Sequence, residues 1–101
     1  MKPVELKRHA RRATALLKAL SNHSRLLVLC QLADGEKTVG QIQRRVGLSQ
    51  PALSQHLALL RRKGIVATRR EAQSIYYALA SREAEVVMAA LHQVFCAKIR
   101  P

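Results

Sequence analysis

Acidic side chains are scarce in this sequence. Only 6 Asp+Glu stand against 18 Lys+Arg, a formal net charge of +12 over 101 residues. Aromatic residues are scarcer still, at 3%, with no Trp. A core without rings must be packed from Leu, Val, Ile and Ala, which suits helices better than a β-sandwich. No segment approaches the roughly 20 apolar residues of a membrane span. The opening "MKPVELKRHARRATALLKAL" has no apolar core of signal-peptide type, because Lys and Arg interrupt it. A cytoplasmic location is expected, with no membrane partner. The two cysteines are then expected as reduced thiols rather than a permanent staple. No nucleophile–base set, glycine-rich phosphate loop or paired carboxylate site is present, so an enzyme is not expected, nor a cofactor. The histidines His9, His23, His56 and His92 are scattered and form no ligand pair. Borderline metals want about four N/S donors in a tetrahedral site, so no metal site is expected either.

Hydrophobic residues make up 49%, which excludes a disordered chain. No repeat, linker or low-complexity tract divides residues 1–101, and the length fits a single domain. A chain this short buries a modest share of its surface, so pairing with a second copy would help it. The charge implies a polyanion partner. Its distribution sharpens that reading. Between Glu36 and Glu71 there is no acidic residue, while the same stretch holds Lys37, Arg44, Arg45, Arg61, Arg62, Lys63, Arg69 and Arg70.

Hydrophobic spacing predicts a first helix from about Val4 to Leu20, with Leu6, Ala10, Ala13, Leu16, Leu17 and Leu20 on one face. It lacks an aromatic anchor for a membrane surface, and core or dimer packing is the better use. A second helix follows a cap at Ser21 or Asn22, runs through Leu26, Leu27, Leu29, Cys30 and Leu32, and ends at Gly35. "TVGQ" has capping-box spacing for a short third helix that ends at Gly47. Ser49 caps a fourth, with Pro51 in its first turn and Gly64 beyond its end. "IVATRR" and "SIYYALA" read as the arms of a β-hairpin with "EAQ" at the tip. A last helix starts at Ser81, with Val87, Met88, Leu91, Val94 and Phe95 as its apolar stripe.

The fold class is therefore mainly α with a small β-hairpin: a winged helix-turn-helix of five helices, in the order α-α-α-α-β-β-α. On the fourth helix Leu53, Leu57 and Leu60 share the core side. Pro51, Ser54, Gln55, Ala58 and Arg62 fall on the other, a small, flat, acid-free face suited to a major groove. Ser54 and Gln55 can hydrogen-bond base edges, Gln being suited to adenine. Arg61, Arg62 and Lys63 are expected on phosphates, which position the helix without reading sequence. Gln50 can serve either purpose. His56 sits at the edge of the core face, in a packing or phosphate role. Arg69 and Arg70 on the wing are expected at the adjacent backbone or minor groove. A solvated helix face is the plainer alternative, but three successive cations beside a small acid-free surface describe it poorly. A dimer would set two such helices about 34–36 Å apart and read an inverted repeat in double-stranded DNA.

At "LSQPALSQHLALLRRKGIV" the sequence resembles the ArsR/SmtB family of bacterial winged-helix repressors. "LLKALSNHSRLLVLCQL" and "TRREAQSIYYAL" have counterparts in the same order, so the resemblance covers nearly the whole chain. It implies a homodimer paired through the first and last helices, and release of DNA when an inducer binds. The family's metal-sensing branches place ligands where this chain has Thr38 and Gly40, or use sets on the last helix whose spacing Glu83, Glu85 and His92 do not match. Ala72 and Gln73 stand where the wing often has Gly and a basic residue.

Cys30 and Cys96 match the family's thiol-sensing branch. There the pair answers persulfides, polysulfides or oxidants by closing a disulfide or polysulfide bridge. From the residues alone, Cys30 reads first as a small core side chain, the default role of a free cysteine. Lys98 and Arg100 near Cys96 favour its thiolate, which points to Cys96 as attacker and Cys30 as resolving partner; a helix C-terminus opposes thiolate there, which leaves the reverse assignment open. A metal-responsive repressor, or a constitutive DNA-binding protein with inert cysteines, are the competing expectations.

Overall fold

The elements that the spacing predicts form in order, with one addition. The computed structural model describes residues 1–96. Five helices are present: α1 (Pro3–Leu20), α2 (His23–Ala33), α3 (Val39–Val46), α4 (Gln50–Arg62) and α5 (Arg82–Phe95). The hairpin is β2 (Val66–Glu71) with β3 (Ser74–Leu79), and a two-residue strand, β1 (Lys37–Thr38), pairs with the other edge of β3. The sheet is antiparallel throughout, in the order β1-β3-β2. β1 corrects the expected element order. Two residues carry no alternation to read, and the strand exists because β3 offers it an unpaired edge. The hairpin tip is also shorter than expected. Glu71 still pairs with Ser74, leaving Ala72–Gln73 as the loop.

Local chemistry sets the boundaries. The Asn22 side chain accepts the Arg25 N–H at 3.0 Å and caps α2. Arg25 in turn donates to the carbonyls of Ala19 at 2.6 Å and Lys18 at 3.1 Å, satisfying acceptors at the end of α1 that have no intrahelical partner. Thr38 and Gln41 form both halves of the capping box on α3. Gly47 closes α3 at φ 72°, a left-handed geometry that lets the chain turn at once into the Ser49 cap of α4. This turn fixes α3 against α4 as a helix-turn-helix.

The core lies between α2, α3, α4 and the root of the hairpin. Val28, Leu29, Ile42, Leu53, Leu57, Leu60 and Val66 are its fully buried members, joined by Ala84 and Met88 from α5. The face assigned to the core on α4 is thus the buried one. The outer helices behave differently. Leu6 and Leu17 on α1, and Val86, Val94 and Phe95 on α5, remain exposed, Phe95 at 68%. Two of the five residues of the apolar stripe expected on α5, Val94 and Phe95, therefore have no cover within one chain. Among the described residues, no helix is long and apolar enough to cross a membrane.

Candidate functional site

Two surfaces concentrate functional chemistry. The first is the outer face of α4 with the wing. Gln50, Ser54 and Gln55 are exposed along one side of α4, and Arg61, Arg62 and Lys63 are exposed at its end. His56 is half-buried, at the edge of the core face. Ser54, Ala58, Arg61 and Arg62 border a shallow depression of about 460 Å³, whose far wall is Tyr77 on β3. The recognition surface thus reaches the root of the wing. Among the described residues, Arg61, Arg62, Lys63 and Arg70 form no ion pair. Their charge is uncommitted within the chain, as phosphate contact requires.

Arg69 is placed otherwise. Its Nε donates to Glu36 Oε2 at 2.8 Å, its Nη2 donates to Glu36 Oε1, and its Nη1 donates to Glu71 Oε2 at 2.6 Å. Its guanidinium lies 4.6 Å from the centroid of Tyr76, the residue opposite it on β3. The two carboxylates hold Arg69 firmly protonated, and the Arg69 guanidinium holds Glu36 below the usual carboxylate range. Alternation along β2 separates Arg69 from Arg70, which points to the other face. Lys37 is likewise spoken for. It is buried, and its Nζ donates to the carbonyls of Gln31 at 2.8 Å and Gly35 at 3.4 Å, closing the end of α2. Two cations of the acid-free stretch are therefore engaged within the chain. For Arg69, the sequence signal that could have exposed this is the pair of acids bounding that stretch, Glu36 and Glu71, which both converge on it.

The second surface is a groove of about 920 Å³ between the end of α2, the corner leading to β1, β3 and α5. Cys30 lies on it, facing Met88, Ala89, His92 and Gln93 of α5. Cys30 is exposed and carries a free thiol, as does Cys96 immediately after α5. The core positions on α2 are Val28, Leu29 and Leu32, so Cys30 is not the small core residue that its apolar run also allowed. Partial burial pushes the Cys30 thiol above its ordinary value, and negative charge on Cys96 pushes it further the same way. Lys98 and Arg100, expected to favour the Cys96 thiolate, lie outside the described residues. Among those described, no three His, Cys, Asp or Glu side chains gather as a metal-holding group.

Comparison with known proteins gives a consistent result. Residues 22–68 match the family described as bacterial regulatory protein, arsR family. The chain is 48% identical to the transcriptional activator HlyU of Vibrio cholerae, over 91% of this chain and 85% of that protein. It is 40% identical to the biofilm growth-associated repressor of Xylella fastidiosa, over 93% and 82%. The solved structure of reduced HlyU from Vibrio cholerae superposes with a TM-score of 0.87, covering 91% of this chain and 97% of that one. The homodimeric winged helix-turn-helix DNA-binding domain of Mb0332 from Mycobacterium bovis superposes at 0.77, with 29% identity, over 93% and 86%.

Proposed function

The chain belongs to the arsR family of bacterial regulatory proteins, as a DNA-binding transcriptional regulator and not an enzyme, and from that premise we propose that it is a homodimeric, thiol-switched repressor. Reduced protein holds two copies of α4 at operator spacing on an inverted repeat. Gln50, Ser54 and Gln55 face the bases. Arg61, Arg62, Lys63 and Arg70 take phosphates, with His56 at the edge of the same face. Support for the dimer comes from the uncovered apolar residues of α1 and α5 and from the homodimeric Mb0332 domain. Occupancy of a promoter by such a dimer blocks access to it, which favours repression.

The observation that carries the switch is the placement of two exposed free thiols: Cys30 on α2 faces α5 across the groove, and Cys96 stands at the end of that helix. Burial and the charge of Cys96 push the Cys30 thiol up, which disfavours Cys30 as attacker and leaves Cys96 as the proposed first nucleophile. Its thiolate attacks a sulfur of an organic polysulfide and expels one thiolate. Cys30, losing its proton to solvent, then attacks in turn. Attack on Cys96 Sγ gives the Cys30–Cys96 disulfide and expels a persulfide, and attack on the next sulfur gives a trisulfide bridge and expels a thiolate. In both cases the two protein thiols lose two electrons to the polysulfide, whose fragments leave as thiol and persulfide or as two thiols. Bridging ties α2 to α5, the helix proposed for the dimer seam, and changes the separation of the two α4 helices. A hundredfold loss of affinity requires the bridge to disfavour the DNA-bound shape by about 2.7 kcal/mol.

The test uses a duplex enriched by the reduced protein from a random 30-bp library. Binding is measured before and after treatment with tetrasulfide or hydrogen peroxide, for wild type, Cys30→Ser and Cys96→Ser. Wild type is expected to release the duplex and both variants to keep it. Release by the variants to the same extent as wild type sinks the switch.

A further inference from the structure

Arg69 sits in the wing beside Arg70, yet the structure gives it a different task. We propose that Arg69 is a positioning residue, a cation paired within the chain that anchors the wing to the end of α2, and that Glu36 is its essential partner. Glu36 would then govern DNA affinity from a place that never meets DNA.

The geometry is that of a filled site. Glu36 lies in the corner between α2 and β1, thirty-three residues before Arg69 in the chain, and accepts from both Nε and Nη2 in a fork. Such planar, two-point pairing fixes orientation as well as distance. Glu71 takes the remaining edge of the guanidinium through Nη1, and the Tyr76 ring covers one face. A phosphate approaching Arg69 would have to displace carboxylates already in place. The wing has few other attachments. β2 is the outer strand of the sheet, held by β3 on one side only. Its far end turns through Ala72, whose φ of 55° is one that side chains beyond Cβ rarely favour. The Arg69 fork is the side-chain tether, among the described residues, between this strand and the body of the domain. Arg70 on the opposite face depends on it for its aim.

The two roles for Arg69 predict opposite signs. If Arg69 were a phosphate ligand restrained by Glu36, removing the acid would free a cation, tighten DNA binding and steepen its salt dependence. If Arg69 positions the wing, removing the acid loosens the strand and weakens binding. The salt slope then stays the same, because no phosphate contact is lost. The experiment measures affinity for a duplex enriched by the wild-type protein from a random library. It covers a series of salt concentrations and the variants Glu36→Gln, Arg69→Gln, Arg69→Lys and Glu36→Gln with Arg69→Gln. Circular dichroism melting confirms that each variant is folded. The expected result is a five- to twentyfold loss for Glu36→Gln and for Arg69→Gln, with no further loss in the double variant and unchanged slopes. Arg69→Lys should fail to rescue, since a point charge cannot make the fork. Tighter or unchanged binding by Glu36→Gln, a slope reduced by about one in Arg69→Gln, or rescue by Arg69→Lys overturns the proposal. None of these outcomes depends on the thiols, so the result stands apart from the fate of the proposed switch.

Discussion

The recognition face and the Cys30 groove are opposite solutions to carrying so much positive charge. The face of α4 has no acid on it, and the cations around it are left unpaired. The groove gathers Asp34, Glu36 and Glu85, half of the protein's six acids, around one thiol. The segregation leaves the cations around α4 unpaired, whereas in the groove Asp34 lies beside Lys37 and Glu36 is held by Arg69. A small domain with evenly mixed charge could not do this, because surface pairs would neutralise the cations before DNA arrived.

The largest effect should come from the side of α4 that neither surface displays. Leu57 is 1% exposed, and Leu57→Ala removes a core side chain under both regions. A loss of about 2–5 kcal/mol is expected in urea unfolding, from lost burial and the cavity left behind. A stability unchanged within about 0.5 kcal/mol would mean that the two regions do not share one core.

The charge comparison itself is broken most directly by moving an acid. Gln55→Glu places a carboxylate on the acid-free face and should weaken duplex binding by about 1–3 kcal/mol, the scale of one lost base contact. The reciprocal change, Glu85→Gln in the groove, should alter affinity less than twofold. Equal effects from the two would erase the distinction drawn between the regions. The smallest effect should follow Ala72→Gly at the wing tip. Among the described residues, Ala72 alone of the non-glycines has positive φ, the pattern of a two-residue loop that wants glycine first. Relief of that strain should raise stability by about 1 kcal/mol in thermal melts, with no change in charge anywhere. A destabilised variant would show that the turn is not strained.

Much of the fold was legible in the sequence because its stops are chemically explicit. Asn22, Thr38 with Gln41, Gly47, Ser49 and Ser81 each mark an element boundary by a group that satisfies or releases specific backbone atoms. The core face of α4 was legible for a similar reason, since Leu53, Leu57 and Leu60 recur at helical spacing. What could not be read depends on contacts between distant segments. β1 exists only because an edge of β3 is there to receive it. Lys37 and Arg69 look like any other cation of a basic stretch until folding brings Gln31 and Glu36 beside them. The approach of Cys30 to Cys96 is of the same kind, because sixty-five intervening residues place no limit on it.

The two residues of β1 also bear on how this domain could be reused. Lys37 pairs with Tyr77 and Thr38 with Tyr76, while the Thr38 hydroxyl caps α3. The dipeptide that borders the wing is therefore the one that starts the helix-turn-helix. A transplant of α3 and α4 into another scaffold would leave behind both the cap and the strand partner, and α3, only eight residues long, would arrive without its start. A graft of residues 36–79 is the smallest that carries the motif with its own fastening, the Glu36–Arg69 pair included. For an engineer changing which DNA this domain reads, the exchangeable part is that whole segment rather than the recognition helix.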